Sequence, residues 1–150
     1  MTTPSQTRSD AGLATALRIS VSRLARRMRA HRLASGLEPG LSDTQLAALA
    51  ALESHEVMTP GELAEHEKVQ PPSMTRVIAV LEERGLVLRS PHASDRRQVV
   101  LRATEQGKEV VRQSRRLREA WLAQRLRELT PQERTLLRQA APILEKLSQS

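Results

Sequence analysis

The 150-residue chain contains no cysteine, no phenylalanine and no tyrosine, and Trp121 is its only tryptophan. Without cysteine the chain can form no disulfide, and it has no thiolate metal ligand and no thiol-based redox sensor. Proteins that bind single-stranded nucleic acid usually stack bases on aromatic side chains. The scarcity of aromatic residues therefore argues against that class of protein.

Long apolar runs are also missing, since none approaches the roughly 20 residues that a membrane-spanning helix needs. The N-terminal segment MTTPSQTRSD is polar and lacks the apolar stretch of a signal peptide. We therefore expect no membrane partner and a cytoplasmic location. Residues 1–10 are small, polar and unpatterned, which predicts a disordered N-terminus.

Positive charge is in excess, with 24 basic against 17 acidic residues and a formal net charge of +7. Such an excess suits a polyanionic partner. However, 21 of the 24 basic residues are arginine, and the base composition of a genome can by itself enrich arginine. The positions of the basic residues must therefore decide between the two explanations.

Apolar residues at helical spacing predict long helices at both ends of the chain. In the first, from about Leu13 to Leu33, they recur at steps of three and four residues, which produces one apolar stripe. Its other faces carry several arginines and no acidic residue, and the segment 36–40, with two glycines and a proline, ends it. A second leucine-rich stripe fills the last helix, after residue 131.

Three capping boxes mark where helices begin. In each, a serine or threonine precedes the helix and a glutamine or glutamate follows three residues later, so that each side chain bonds the backbone of the other. A proline after the threonine fits the first helical position. The pairs are Ser42 with Gln45, Thr59 with Glu62, and Thr130 with Glu133.

Between residues 69 and 103 the pattern predicts a turn, a helix and a β-hairpin. The helix carries apolar residues at the spacing of one buried face, and Gly85 suits its C-terminal cap. Two short strands at 86–89 and 99–102 then flank a polar tip at 90–98. Thr104 begins a long helix that reaches about Leu129.

The resulting order is α-α-α-α-β-β-α-α, a mainly α (α+β) fold. A short helix, a tight turn, a longer helix and a hairpin together predict a winged helix-turn-helix. We expect a DNA-binding lobe at 41–103 and a helical dimerisation region made of 11–35 and 104–150.

The fourth helix is the candidate reader of duplex DNA. A helix that enters the major groove needs small polar side chains near its N-terminus. Ser73 and Thr75 can hydrogen-bond base edges, and Arg76 can bind either guanine or phosphate. An ordinary surface helix is the plain alternative. The predicted base-reading residues are Gln70, Pro72, Ser73, Thr75 and Arg76.

The tip of the hairpin, the wing, supplies a second candidate contact. Arg96 and Arg97 suit the negative potential of a narrow minor groove, whereas Asp95 is expected to pair with a neighbouring arginine, Arg97 or Arg89, and to hold the loop in shape. A solvated charged loop is the alternative. Phosphate contacts are predicted for Ser42, Thr59, Lys68, Arg84 and Arg89.

Apolar stripes on the terminal helices predict a homodimer, because one small lobe cannot bury both. Pairing of two copies would also supply the two-fold symmetry of a palindromic site. In the alternative, the two ends of one chain bury each other. The predicted interface residues are Leu13, Leu17, Trp121, Leu136, Ile143 and Leu147.

Over residues 13–148 the sequence resembles the MarR family, the multiple antibiotic resistance regulators. The resemblance is strongest in MTPGELA from Met58, in PSMTRVI from Pro72, in LEERGLV from Leu81 and in DRRQVVLRATEQG from Asp95. It implies a homodimeric transcriptional regulator whose first, fifth and sixth helices interlock, with a recognition helix at about 71–84 and a wing at 86–102. In the family pattern the wing arginine corresponds to Arg97 and the supporting acid to Asp95.

The resemblance also implies that the protein is a repressor. Release of the protein from DNA by a small aromatic or apolar ligand is an option within the family. Only Trp121 is available to stack on an aromatic ligand, and it fits the dimer core as well. The four histidines show no paired ligand spacing along the chain, so no metal site and no cofactor are expected.

Two other classes of function can be compared with the sequence: an enzyme, and a winged helix that does not regulate by reading specific DNA. An enzyme would need convergent catalytic groups, and neither a catalytic pairing nor a phosphate-binding glycine loop is visible, so no enzymatic activity is expected. A winged helix that serves only protein contacts would lack basic residues here, but the segment 68–102 has seven basic and three acidic residues. An architectural protein that binds DNA with low specificity remains the alternative.

Overall fold

The computed structural model describes residues 9–36 and 40–150, which form six helices and a two-stranded antiparallel sheet. The predicted mainly α winged helix-turn-helix and its element order are confirmed. Residues 1–8 of the predicted disordered terminus lie outside the described residues, as do Leu37–Pro39 of the predicted break, and Asp10 already begins the first helix. The elements are α1 (Asp10–Ala34), α2 (Asp43–Ser54), α3 (Pro60–His66), α4 (Pro71–Glu83), β1 (Val87–Pro91), β2 (Val99–Ala103), α5 (Glu105–Arg127) and α6 (Pro131–Ser148).

The chain divides into two compact units. One comprises residues 35–116 and is called the winged lobe here; the other comprises residues up to 34 together with 117–150 and is called the helical arm. The winged lobe extends past the predicted limit at 103, because Val111 of α5 belongs to its hydrophobic core and Ser114 is buried as well.

The winged lobe has one apolar core, contributed by α2, α3, α4, the sheet and the start of α5. The four residues that α4 was predicted to bury are all inside it: Met74, Val77, Ile78 and Leu81. Because these positions recur at steps of three and four, they share one side of the helix and leave the opposite side to solvent.

The predicted capping boxes of α2, α3 and α6 are all present. In α3, the Thr59 hydroxyl accepts from the backbone N–H of Glu62 at 3.1 Å, and the Glu62 carboxylate accepts from the N–H of Thr59 at 3.0 Å. Ser42 with Gln45 and Thr130 with Glu133 make the same pair of bonds. Loss of such a cap costs about 1 kcal/mol, so each cap helps to fix the residue at which its helix begins.

Gly85 and Gly107 fix the passage from α4 through the sheet to α5. Gly85 has φ +70°, and the N–H of Leu86 donates to the carbonyl of Leu81 at 2.9 Å, which is a Schellman end for α4. A Cβ on Gly107 would lie 2.2 Å from the carbonyl oxygen of Leu86. Thr104 joins these segments, since its hydroxyl donates to Gly85 O at 2.8 Å and accepts from Gly107 N at 3.0 Å.

The sheet is a hairpin in which Val87 pairs with Ala103 and Pro91 with Val99. A bridge between Met58 and Leu101 adds a third extended segment, with backbone bonds of 2.7 and 3.2 Å. The segment that leads into α3 is thereby hydrogen-bonded to the strand that leads back from the wing. The helix-turn-helix and the wing are therefore parts of one framework.

The helical arm contains α1, the end of α5 and α6, and it has little core of its own. No residue of α6 is buried, and the only buried residue of α1 is Arg32. Among the described residues, no helix is both long enough and apolar enough to cross a membrane.

Candidate nucleic-acid interface

The exposed side of α4 carries the side chains that were predicted to read DNA. Pro71 and Pro72 occupy its first positions, where proline's fixed φ favours helix initiation. Ser73, Thr75 and Arg76 are exposed, opposite the buried face. The structure thus brings the predicted residues together on one surface at the start of the helix.

The hydrogen bonds on this surface differ from residue to residue. The Thr75 hydroxyl donates to the carbonyl of Pro71 at 3.0 Å, so it keeps a lone pair and a methyl group for an outside partner. Within the described part of the chain, the side chains of Gln70, Ser73 and Arg76 have no hydrogen-bond partner. Arg76 therefore keeps all five guanidinium donors for an anion or a guanine edge.

The turn between α3 and α4 is a tight one. Val69 N donates to Ala64 O at 2.9 Å, and Lys68 between them has φ +55°. A left-handed residue at this position is usually glycine, because any Cβ raises the energy there by about 1–2 kcal/mol. Lys68 is exposed, so an ammonium group stands on the turn beside the start of α4.

The wing tip is held by side chains that bond to the backbone. Asp95 Oδ1 accepts from the N–H of Arg97 at 3.0 Å, and His92 Nδ1 accepts from the N–H of Asp95 at 3.1 Å and that of Ser94 at 3.2 Å. Asp95 therefore bonds the backbone of Arg97, and among the described residues it forms no ion pair with Arg97 or Arg89. Its role in holding the loop in shape stays a prediction. The supporting role of His92 was not predicted, because histidine carries no sequence signal for turns.

Arg96 and Arg97 are exposed at this tip, and among the described residues neither guanidinium has a partner. Two cations without counter-ions on a loop of fixed geometry give an electrostatic contact that depends on salt concentration. Their expected role in a minor groove stays a prediction.

The residues predicted to bind phosphate are mostly engaged within the protein. Arg89 donates to Glu82 Oε1 through Nε at 3.1 Å and Nη2 at 2.6 Å, and Arg84 Nη2 donates to Gly40 O at 3.3 Å. The hydroxyls of Ser42 and Thr59 accept capping bonds, although each keeps its proton for another acceptor. These contacts leave phosphate binding as a prediction for all five residues.

In the helical arm, the predicted interface residues are accessible in the single chain. Leu13 is 46% exposed, Leu136 64%, Ile143 61% and Leu147 59%, whereas Leu17 and Trp121 are half-buried. Five other large apolar residues of the arm are exposed as well, namely Val21, Leu24, Leu33, Leu137 and Leu144.

Comparisons with known proteins agree with this geometry. Residues 41–99 match the model of the MarR family. The chain is 47% identical over 136 residues to the HTH-type transcriptional regulator Mb0904 of Mycobacterium bovis, covering 91% of this chain and 92% of that protein. It is 31% identical over 134 residues to the HTH-type transcriptional repressor MdtR of Bacillus subtilis, covering 89% and 84%.

Among solved structures, RV1404 of Mycobacterium tuberculosis superimposes with a TM-score of 0.84 at 26% identity, covering 95% of this chain and 97% of that one. These three proteins each match about nine-tenths of the chain or more. The chain therefore belongs to the MarR family of transcriptional regulators, which have a DNA-binding fold and are not enzymes.

Proposed function

We propose that this protein is a sequence-specific regulator that binds a pseudo-palindromic operator in double-stranded DNA as a homodimer and represses transcription. The observation that carries the proposal is the exposed row of Ser73, Thr75 and Arg76 at the start of α4. A helix whose buried face is fully packed, and whose other face is polar and largely without internal partners, is suited to a major groove.

The wing supports the same function from a second direction. Arg96 and Arg97 protrude beside the helix-turn-helix, and the tip that carries them is fixed by Asp95 and His92. Basic side chains on a protruding hairpin suit the minor groove next to the major groove that the helix enters. Seven basic against three acidic residues between 68 and 102 give the segment a net charge of +4.

The homodimer is supported by the exposed apolar side chains of the helical arm. A monomer seldom leaves contiguous apolar surface exposed to water, because burial of that surface stabilises the protein by about 25 cal/mol per Å². A second copy of the chain offers the same stripes, so a symmetric pairing can cover both sets. The two recognition helices then read two half-sites about one helical turn apart.

Repression is proposed from the relationship to MdtR, which is named a repressor. A regulator of this kind occupies its operator and excludes the transcription machinery, and it works where the DNA lies, in the bacterial cytoplasm. Footprinting on the DNA that flanks the protein's own gene tests the proposal. Protection of two half-sites supports it, whereas equal affinity for operator and random duplexes would favour the architectural alternative.

Response to a small ligand is a second proposal, and it rests on a shallow groove in the helical arm. The groove, about 590 Å³ and broadly open to solvent, is lined by Trp121, His31 and Ala30 and by three arginines, Arg23, Arg26 and Arg27. The His31 and Trp121 rings lie 6.3 Å apart, and the guanidinium of Arg125 lies 5.9 Å from the Trp121 ring. An aromatic ligand would stack on the indole and thereby quench its fluorescence; an unchanged Trp121 signal and unchanged DNA affinity across a panel of aromatic compounds would refute this response.

A further inference from the structure

Two histidines that are distant in sequence lie side by side in the winged lobe. The ring centroids of His55 and His66 are 4.9 Å apart, and the ring planes meet at 73°. His55 is the residue that closes α2, and His66 is the last residue of α3. Because they end different helices, their spacing along the chain shows no ligand pattern.

A hydrogen bond sets the tautomer of His55, and a longer contact with a carboxylate favours the same tautomer in His66. His55 Nδ1 lies 2.9 Å from the carbonyl oxygen of Ala51, and since a carbonyl can only accept, Nδ1 carries the proton. His66 Nδ1 lies 3.5 Å from a carboxylate oxygen of Glu67, which likewise favours a proton on Nδ1. Each neutral ring then keeps the lone pair of Nε2.

This arrangement is the one that metal-binding histidines usually have. A ligating imidazole typically donates its other N–H to a carbonyl or a carboxylate, which fixes the ring and raises its basicity. Here Ala51 supplies the carbonyl and Glu67 the carboxylate. Both imidazoles are accessible from solvent, and the side chain of His66 is 44% exposed.

The separation of the rings also fits a shared ion. With Zn–N bonds of about 2.0–2.1 Å, two imidazoles on one ion at angles of about 90–109° have centroids about 4.5–5.2 Å apart. The observed 4.9 Å lies within that interval. A cation is further favoured at this place because the C-terminus of α2 carries a partial negative charge.

We propose that Nε2 of His55 and Nε2 of His66 bind one divalent transition-metal ion, zinc in the first instance, on the surface of the winged lobe. Within the described part of the chain no group of three histidine, cysteine, aspartate or glutamate residues forms a metal cluster. With two protein ligands, two water molecules would complete the tetrahedron around the ion. The bound ion would tie the end of α2 to the end of α3, close to the turn that leads into the recognition helix.

Calorimetric titration of the metal-free full-length protein, without an affinity tag, with zinc chloride at pH 7.5 tests the proposal. One zinc ion per chain is expected. His55→Gln and His66→Gln should each weaken zinc binding at least about tenfold, by comparison with the cost of losing an outer partner of a ligand. His31→Gln, an exposed histidine of the helical arm, is the matched control and should bind zinc as the unmodified chain does.

Two further measurements distinguish binding at the proposed site from a folding defect and from an adventitious ion. The DNA affinity and circular dichroism of both variants should be unchanged without zinc, because both side chains are exposed. Nitrogen NMR of the imidazoles should show zinc-dependent shifts at Nε2 of residues 55 and 66. Absence of zinc binding, equal binding by a variant with both histidines replaced, or shifts at Nδ1 would overturn the proposal.

Discussion

Arg89 in the first strand of the wing lies against Glu82 of the recognition helix, with Nη2 and Nε donating to Oε1 at 2.6 and 3.1 Å. Both side chains are partly exposed, so the pair contributes at most about 1 kcal/mol to stability. Its main consequence is geometric, because it adds a side-chain link between the wing and the helix to the backbone bridge between Met58 and Leu101. The two elements that are proposed to contact DNA are therefore linked to each other.

The first prediction concerns this pair. Replacing the acidic Glu82 with alanine would strengthen DNA binding if only charge mattered. We expect Glu82→Ala to weaken binding to a cognate duplex, by up to about fivefold for a loss of about 1 kcal/mol, because the wing loses one of the contacts that hold it. Fluorescence anisotropy on Glu82→Ala, Arg89→Ala and the double variant should show non-additive losses. Tighter binding by Glu82→Ala would contradict the geometric role.

Replacement of Lys68 by glycine is expected to stabilise the fold but to weaken DNA binding. Its φ of +55° suits glycine, so Lys68→Gly should raise the free energy of unfolding by about 0.5–1 kcal/mol. The same change removes a cation next to α4, so DNA binding should weaken and the slope of log K against log salt should fall by about 1. Lys68→Asn, which tolerates the same φ, is the control for loss of charge. Equal salt slopes for all three proteins would place Lys68 away from the phosphates.

Asp95 is expected to act through the shape of the wing. Its Oδ1 accepts from the backbone N–H of Arg97, and an amide oxygen can accept the same bond. Asp95→Asn should therefore keep or improve DNA affinity, since it also removes a negative charge, whereas Asp95→Ala should weaken it. Binding isotherms at one salt concentration separate the two variants. If both variants bind DNA more tightly than the unmodified chain, the charge of Asp95 and not the geometry of the loop determines DNA affinity.

Gly107 is expected to be essential for the stability of the winged lobe. A Cβ there would lie 2.2 Å from Leu86 O, so Gly107→Ala should lower the free energy of unfolding by at least about 2 kcal/mol. Gly61→Ala is the matched control, because the nearest atom to its Cβ is 4.0 Å away and alanine favours the helix. Urea denaturation measures both, and similar midpoints would mean that α5 can move away from the strand.

Much of the fold could be predicted because it rests on local rules. The caps at Ser42, Thr59 and Thr130 and the glycine end at Gly85 are encoded within a few residues each. The buried side of α4 follows from its periodicity, and that in turn places Ser73 and Arg76 outside. The fold and the candidate reading surface were therefore accessible from the sequence.

Other features depend on contacts between residues far apart in sequence. Glu82 and Arg89 meet because the strand folds back along the helix, and His55 meets His66 because two helix ends converge. Lys68 occupies a left-handed position without the glycine or asparagine that would mark it. Only the three-dimensional structure shows these relationships.

The central claim is that two copies, paired through their exposed apolar helices, place Ser73–Arg76 in successive major grooves while Arg97 enters the adjoining minor groove. Sedimentation equilibrium of the protein alone and with the protected duplex tests it most directly. The account predicts a dimer alone and one dimer per duplex, with Ile143→Glu giving monomers that lose the cooperative complex. A stable monomer that sediments apart from every duplex at low salt would contradict it.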